Sequence, residues 1–138
     1  MSIVILQWYI DDRNALKAAI ERICPQLLPH TTIEGDFDDK IRNIIKCKGA
    51  EKRKNQMKKV IIVTGTVLLT TSGKRVLKKL RAWNSYATII LLSGMNDLKK
   101  DKRINMFFEK KKSQPEIFDK IATLLKEKYE VWNFQKRK

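Results

Sequence analysis

Val60-Ile-Ile-Val-Thr-Gly-Thr-Val-Leu-Leu-Thr-Thr-Ser-Gly-Lys-Arg-Val-Leu-Lys-Lys-Leu-Arg81 is the stretch whose reading decides the fold. Val60 to Thr64 is too short for a helix and, until Thr64, has no polar residue to turn toward water. It reads as a strand buried on both faces. Gly65 to Gly73 reads as a loop. Val76, Leu77, Leu80 and Trp83 then fall at the spacing of one helix face, so a helix follows with its apolar side inward. A doubly buried strand handing over to an amphipathic helix is one unit of a parallel sheet covered by helices.

The pattern repeats on both sides of this stretch. Upstream, Ile3 to Ile10 reads as a first buried strand, and Asp11 or Asp12 as the cap of a helix carrying Leu16, Ala19, Ile20, Ile23, Cys24 and Leu27 on one stripe. Pro25 and Pro29 end that helix. Thr31 to Glu34 is a short strand. Gly35 to Asp39 is a turn into a second helix with Ile41, Ile44 and Ile45 as its apolar face. Lys48 to Lys59 is a basic loop or a solvated extension of that helix. Downstream, Ala87 to Leu92 is a fourth strand, Asp97 to Arg103 has room only for a short helix, and Asn105 to Glu109 is a fifth strand. Ser113-Gln-Pro-Glu116 has the spacing of a capping box and opens a last helix with Ile117, Ile121, Leu124 and Leu125 inward.

These alternating elements predict a single α/β domain over residues 1–128, a three-layer α/β/α sandwich with a five-stranded parallel sheet, similar to flavodoxin and receiver domains. Residues 129–138 read as a basic and aromatic tail, with Tyr129, Trp132 and Phe134 ahead of Lys136-Arg-Lys138. The 138 residues suffice for one core. With 43% apolar and 33% charged residues, five Gly and three Pro, the chain is too apolar for disorder and too poor in Gly and Pro for a fibre. No apolar run is long enough to span a bilayer, and the first residues lack the pattern of a secretory signal, so the expectation is a cytoplasmic protein with no membrane contact. Cys24 and Cys47 are too few for a disulfide framework and read as core residues on apolar helix faces.

Charge is uneven. Residues 1–45 hold seven acids and five bases, whereas residues 46–138 hold twenty-five bases and eight acids, for a total of +15. Such a field favours an anionic partner. The basic residues cluster in three patches, represented by Lys52, Arg53 and Lys54, by Lys78 and Lys79, and by Lys99, Lys100, Lys102 and Arg103. No helix-turn-helix, zinc-finger or RNA-binding fingerprint accompanies them, so the nucleic-acid alternative is binding without sequence specificity. His30, the single histidine, lies after Pro29 with no Cys or His nearby in sequence and reads as a surface residue.

Taken in order, the strand ends resemble the response-regulator receiver (CheY-like) domain. The resemblance rests on residues 60–81, on Ala87-Thr-Ile-Ile-Leu-Leu-Ser93 as the fourth strand ending in a hydroxyl residue, and on Phe107-Phe-Glu-Lys110 as the fifth strand with its lysine. It implies a pocket of Asp11, Asp12, Gly65, Ser93 and Lys110, with the two aspartates as the family's acidic pair. Counted back from Ser72-Gly73, the phosphoacceptor position holds Gly65. A glycine offers no nucleophile, and the Mg²⁺ site loses a ligand with it.

The resemblance therefore implies a degenerate pseudo-receiver: non-enzymatic, independent of phosphorylation, and without cofactor or metal. It would act as a signalling module through protein partners, with a homodimer as one such contact. A further alternative takes Asp11, Asp12, Glu34, Asp36, Asp38 and Asp39 as an acidic mouth for a metal-dependent phosphodiesterase.

Overall fold

Ile3, Val4, Ile5 and Leu6 are completely buried and pair with a neighbouring strand on each side, the environment an unbroken apolar run requires. In the computed structural model, which describes residues 1–46, 59–94, 96–111 and 115–136, the strands are β1 (Ser2–Leu6), β2 (Thr31–Glu34), β3 (Val60–Thr64), β4 (Thr88–Ser93) and β5 (Met106–Glu109). All neighbours are parallel, in the order β2-β1-β3-β4-β5. The helices are α1 (Ile10–Ile23), α2 (Asp39–Ile45), α3 (Lys74–Trp83) and α4 (Glu116–Lys136), with 3-10 turns at Pro25–His30 and Asn96–Leu98.

Strand alternation divides the core in two. Ile3, Ile5, Ile61, Val63, Ile90 and Leu92 face α1 and α4, where they meet Leu16, Ile20, Ile121 and Leu125. Val4, Leu6, Ile62, Ile89 and Leu91 face α2 and α3, where they meet Ile41, Leu77 and Leu80. The predicted three-layer sandwich is thus present. The chain leaves β1 toward β2 and returns across it to β3, so the order reverses between β1 and β3. In an open parallel sheet, a crevice opens at that point beyond the carboxyl ends of the strands.

Several boundaries differ from the sequence expectation. β1 ends at Leu6, not Ile10. Leu6 is the last residue in register with both Glu34 and Thr64, and the backbone N–H of Gln7 makes one more bond, to the Glu34 carbonyl at 3.1 Å. Trp8, Tyr9 and Ile10 then turn outward, 39%, 55% and 61% exposed, and Tyr9 caps α1 through its extended backbone. Asp11 and Asp12 consequently sit in the first turn of α1 and not at the end of a strand.

α1 stops at Ile23, and Pro25–His30 continues as a 3-10 segment that still buries Leu27. His30 is half-buried there, with its ring 5.7 Å from that of Tyr129 and 6.1 Å from that of Trp132. Residues 129–136, read as part of a tail, prolong α4, and Tyr129 and Trp132 pack on the first core cluster. Cys24 is buried, as expected. Cys47, most of the basic stretch 48–59, and Ser113 and Gln114 of the capping box lie outside the described residues. Among the described residues no helix is long and apolar enough to cross a membrane.

Candidate functional site

Gly65 stands one residue past the central strand, and its N–H bonds the Leu6 carbonyl at 2.9 Å, so the ends of β1 and β3 are locked side by side. A Cβ built on Gly65 would lie 3.1 Å from Gln7 Oε1, which is tighter than ordinary van der Waals contact. Gln7 is only 3% exposed, and its Nε2 has no hydrogen-bond partner among the described residues. A buried amide donor left unpaired costs about 1–3 kcal/mol. The carboxamide therefore crowds the space that a side chain at residue 65 would enter, so such a side chain needs Gln7 to shift by a few tenths of an ångström.

The other strand ends complete a crevice of about 240 Å³. Ser93, the last residue of β4, and Thr66 bring their buried hydroxyl oxygens to 2.9 Å. From beyond β5, Lys110 Nζ reaches Asp12 Oδ2 at 2.6 Å, and the same ammonium lies 4.7 Å from the centre of the Tyr9 ring. Asp12 is 6% exposed, so this ion pair is largely withdrawn from water on the carboxylate side and leaves the crevice floor close to neutral.

Of the five residues expected in the pocket, Asp12, Gly65, Ser93 and Lys110 line this crevice. Asp11 does not; it is exposed on the first turn of α1. The reason is the early end of β1, which gives the strand-end positions to Gln7 and Trp8. Sequence reasoning missed Gln7; Thr66 was expected on the crevice rim, Thr64 to Thr71, but not in contact with Ser93. Gln7 did leave a signal, as the one polar side chain inside the apolar run 3–10.

The Mg²⁺ ion implied by the receiver resemblance does not fit these residues. Asp12 offers the crevice's carboxylate and is already paired with Lys110, the residue just past β1 is a carboxamide, Gln7, and the residue just past β3, Gly65, has no side chain. Two other acids of the supposed mouth serve the backbone. Asp38 Oδ1 accepts from the Ile41 N–H at 2.7 Å and caps α2, while Asp36 Oδ1 accepts from the Phe37 N–H at 2.8 Å and the Thr70 hydroxyl at 3.2 Å. Among the described residues no group of three His, Cys, Asp or Glu side chains gathers for a metal.

The basic residues divide by engagement. Lys78, Lys99, Lys100 and Lys102 are exposed. Lys79 is half-buried, with its ammonium 4.7 Å from the Phe37 ring centre and 5.4 Å from that of Trp83. Lys52, Arg53 and Lys54 lie outside the described residues. Arg103 grips Asp101 through Nε at 2.9 Å and Nη2 at 2.8 Å.

Those hydrogen bonds hold the Asp101 carboxyl at about 2, below the usual carboxylate value, and raise the Arg103 guanidinium in turn. A carboxyl depressed in the folded state stabilises the fold above its unfolded pKa of about 3.9. That contribution fades as pH falls from about 4 through 2. With the guanidinium partly in solvent, it amounts to no more than about 1 kcal/mol. Urea unfolding should therefore show wild type and Asp101→Asn differing at pH 6 and converging by pH 2. A difference unchanged across that range would contradict the assignment.

No protein-family model matches the chain, and no curated protein matches it in sequence. Solved structures do match. A response-regulator receiver domain from Rhodospirillum rubrum aligns with a TM-score of 0.68 at 14% identity, covering 95% of this chain and 94% of that one. The phosphorylated cyanobacterial phytochrome response regulator RcpA gives 0.62 at 14% identity over 89% of each chain. The signal receiver domain of an HD domain-containing protein from Pseudomonas fluorescens gives 0.59 at 14% identity, over 99% of this chain and 92% of that one. At such identities the likeness is one of architecture: five parallel strands in the order β2-β1-β3-β4-β5 between two helical layers give this chain the fold of the response-regulator receiver domains.

Proposed function

We propose that this chain is a regulatory interaction module on a receiver scaffold, neither an enzyme nor a phosphoryl acceptor. The observation that carries the reading is the Gly65–Gln7 contact at the end of the central strand. Phosphoryl transfer to a protein needs a nucleophilic oxygen there, with cations to offset the charge it acquires. Here the nucleophile is missing, its space is occupied, and the lysine that could offset charge is committed to Asp12.

The rim of the crevice supports a role in contact. Trp8, Tyr9 and Val67, which line it, are 39%, 55% and 44% exposed, an apolar fringe around a neutral floor. In this reading the partners are signalling proteins in the cytoplasm. They dock on the rim (Thr64 to Thr71 with Ser93 to Asp97) or along Asp97 to Lys112, where a second copy of the chain would also pair.

Exposure to acetyl phosphate or beryllofluoride with Mg²⁺ tests the chemistry. Intact mass and the amide NMR spectrum should stay unchanged while a phosphorylatable receiver responds in parallel. A stable adduct, or shifts centred on residues 65, 93 and 110, would overturn the proposal.

A further inference from the structure

Two basic segments far apart in sequence share one face of the molecule. Arg81, in the last turn of α3, donates from Nε to the Arg103 carbonyl at 2.9 Å and from Nη2 to Asn105 Oδ1 at 3.0 Å. Arg103 reaches back toward the Lys74 carbonyl at the other end of the helix, at 3.5 Å. The connection from β4 to β5 is thereby laid along α3, a length of about 15 Å. Six cations are exposed there: Lys74, Arg75 and Lys78 on the helix, and Lys99, Lys100 and Lys102 on the connection.

Little on this face opposes them. α3 contains no Asp or Glu, and Asp101 is held by Arg103, which leaves Asp97 as the exposed carboxylate of the connection. α3 also begins against its own dipole. Gly73, at φ 62°, supplies no side-chain cap, and the first turn carries Lys74 and Arg75 where acids would be favoured. Inside the folded chain Lys74 recovers part of this through its attraction to the Asp101 carboxylate, whereas Arg75 sits against the dipole in solvent, a local preference broken that points to a use outside the chain.

The composition of the face selects the partner. Among the six cations no aromatic ring stands exposed: Trp83 of α3 packs on Phe37, and Tyr86, 61% exposed, lies beyond the end of the helix. Protein interfaces draw their affinity from buried aromatic anchors and are depleted in lysine. Single-stranded nucleic acid is held by bases stacked on aromatic rings. What remains is an array of point charges, which suits the regularly spaced phosphates of a duplex and does not read bases.

We propose that α3 and the Lys99–Lys102 connection bind the backbone of duplex nucleic acid without sequence preference. The site is separate from the crevice and stands whether or not the crevice accepts phosphate.

Fluorescence anisotropy with the full chain tests this, using two unrelated 20-bp DNA duplexes, an RNA duplex and a 20-nucleotide single strand. Both DNA duplexes should bind alike and more tightly than the single strand. With six phosphate contacts, affinity should fall about 10³-fold between 50 and 200 mM salt, and the RNA arm shows which duplex geometry is preferred. The Lys99→Glu, Lys100→Glu, Lys102→Glu triple should weaken binding at 100 mM salt by at least about tenfold and flatten the log–log salt slope by about 3.

An equal charge change on other helices, Lys17→Glu, Lys40→Glu and Lys120→Glu, should cost less than about threefold. If the acidic triple misfolds by circular dichroism, the milder Lys78→Gln, Lys100→Gln pair should flatten the slope by about 2. Equal losses from the two triples would show that net charge, not this face, is responsible, and would overturn the proposal. So would tighter binding of the single strand. Absence of duplex binding at 50 mM salt would also overturn it.

Discussion

Gly65→Asp is expected to lower stability by about 2–4 kcal/mol and to leave the chain inert toward acetyl phosphate. The loss has two sources. The first Cβ atom already meets Gln7 Oε1 at 3.1 Å, and enlarging a packed site costs about 1–3 kcal/mol. The carboxylate then enters a buried crevice whose lysine is engaged by Asp12, so it gains no ready counter-charge for its desolvation.

Trimming the neighbour should separate these sources. Gln7→Ala combined with Gly65→Asp should recover about 1 kcal/mol relative to the sum of the single changes, because the two side chains compete for one volume. Urea denaturation of the four chains measures this directly. Strict additivity would mean that Gln7 is not what excludes a side chain at residue 65. A phosphorylated Gly65→Asp protein would mean that the scaffold had lost only its acceptor and had kept the rest of the chemistry.

Arg81→Ala is expected to cost about 3 kcal/mol, a fall in melting temperature of roughly 10 °C. Besides the bonds to Arg103 and Asn105, Nη1 donates to the carbonyls of Ala87 at 2.7 Å and Ser85 at 3.1 Å. Asn105 Oδ1 in turn accepts from the Ile89 N–H at 2.8 Å, so the guanidinium joins α3, the start of β4 and the approach to β5 in one network. Burial lowers the Arg81 pKa, yet an arginine stays charged, and each of these bonds is charge-assisted. Arg81→Lys should restore less than half of the loss, since a single ammonium cannot span carbonyls on two segments as the fork does. Full rescue by lysine would show that charge, not the planar fork, holds the connection in place.

The contrast between these two sites shows what the sequence could disclose. The parallel sandwich was legible because apolar strands and amphipathic helices carry different periods, and Gly65 followed from counting along one continuous segment. The end of β1 was not, because Trp8, Tyr9 and Ile10 prolong an apolar run that periodicity alone cannot divide. Only the register of Leu6 against Glu34 and Thr64 stops the strand. That misplacement carried Asp11 into the pocket and left Gln7 out. Arg81 looked like one more member of a basic patch, since its partners are backbone carbonyls that no residue pattern announces. The Thr66–Ser93 hydroxyl pair joins positions whose adjacency exists only once β3 and β4 are aligned.

The two halves of the core do not depend equally on α4. The side built on α2 and α3 takes its last buried residue from the Leu98 turn, with Phe107 of β5 packed behind, and so is complete without that helix. The opposite side keeps Ile3, Ile5, Leu16 and Ile20 uncovered until Ile117, Ile121 and Leu125 arrive. With α4 undocked the molecule would therefore present one finished surface and one greasy one, and α4 acts as the latch that ends this exposure.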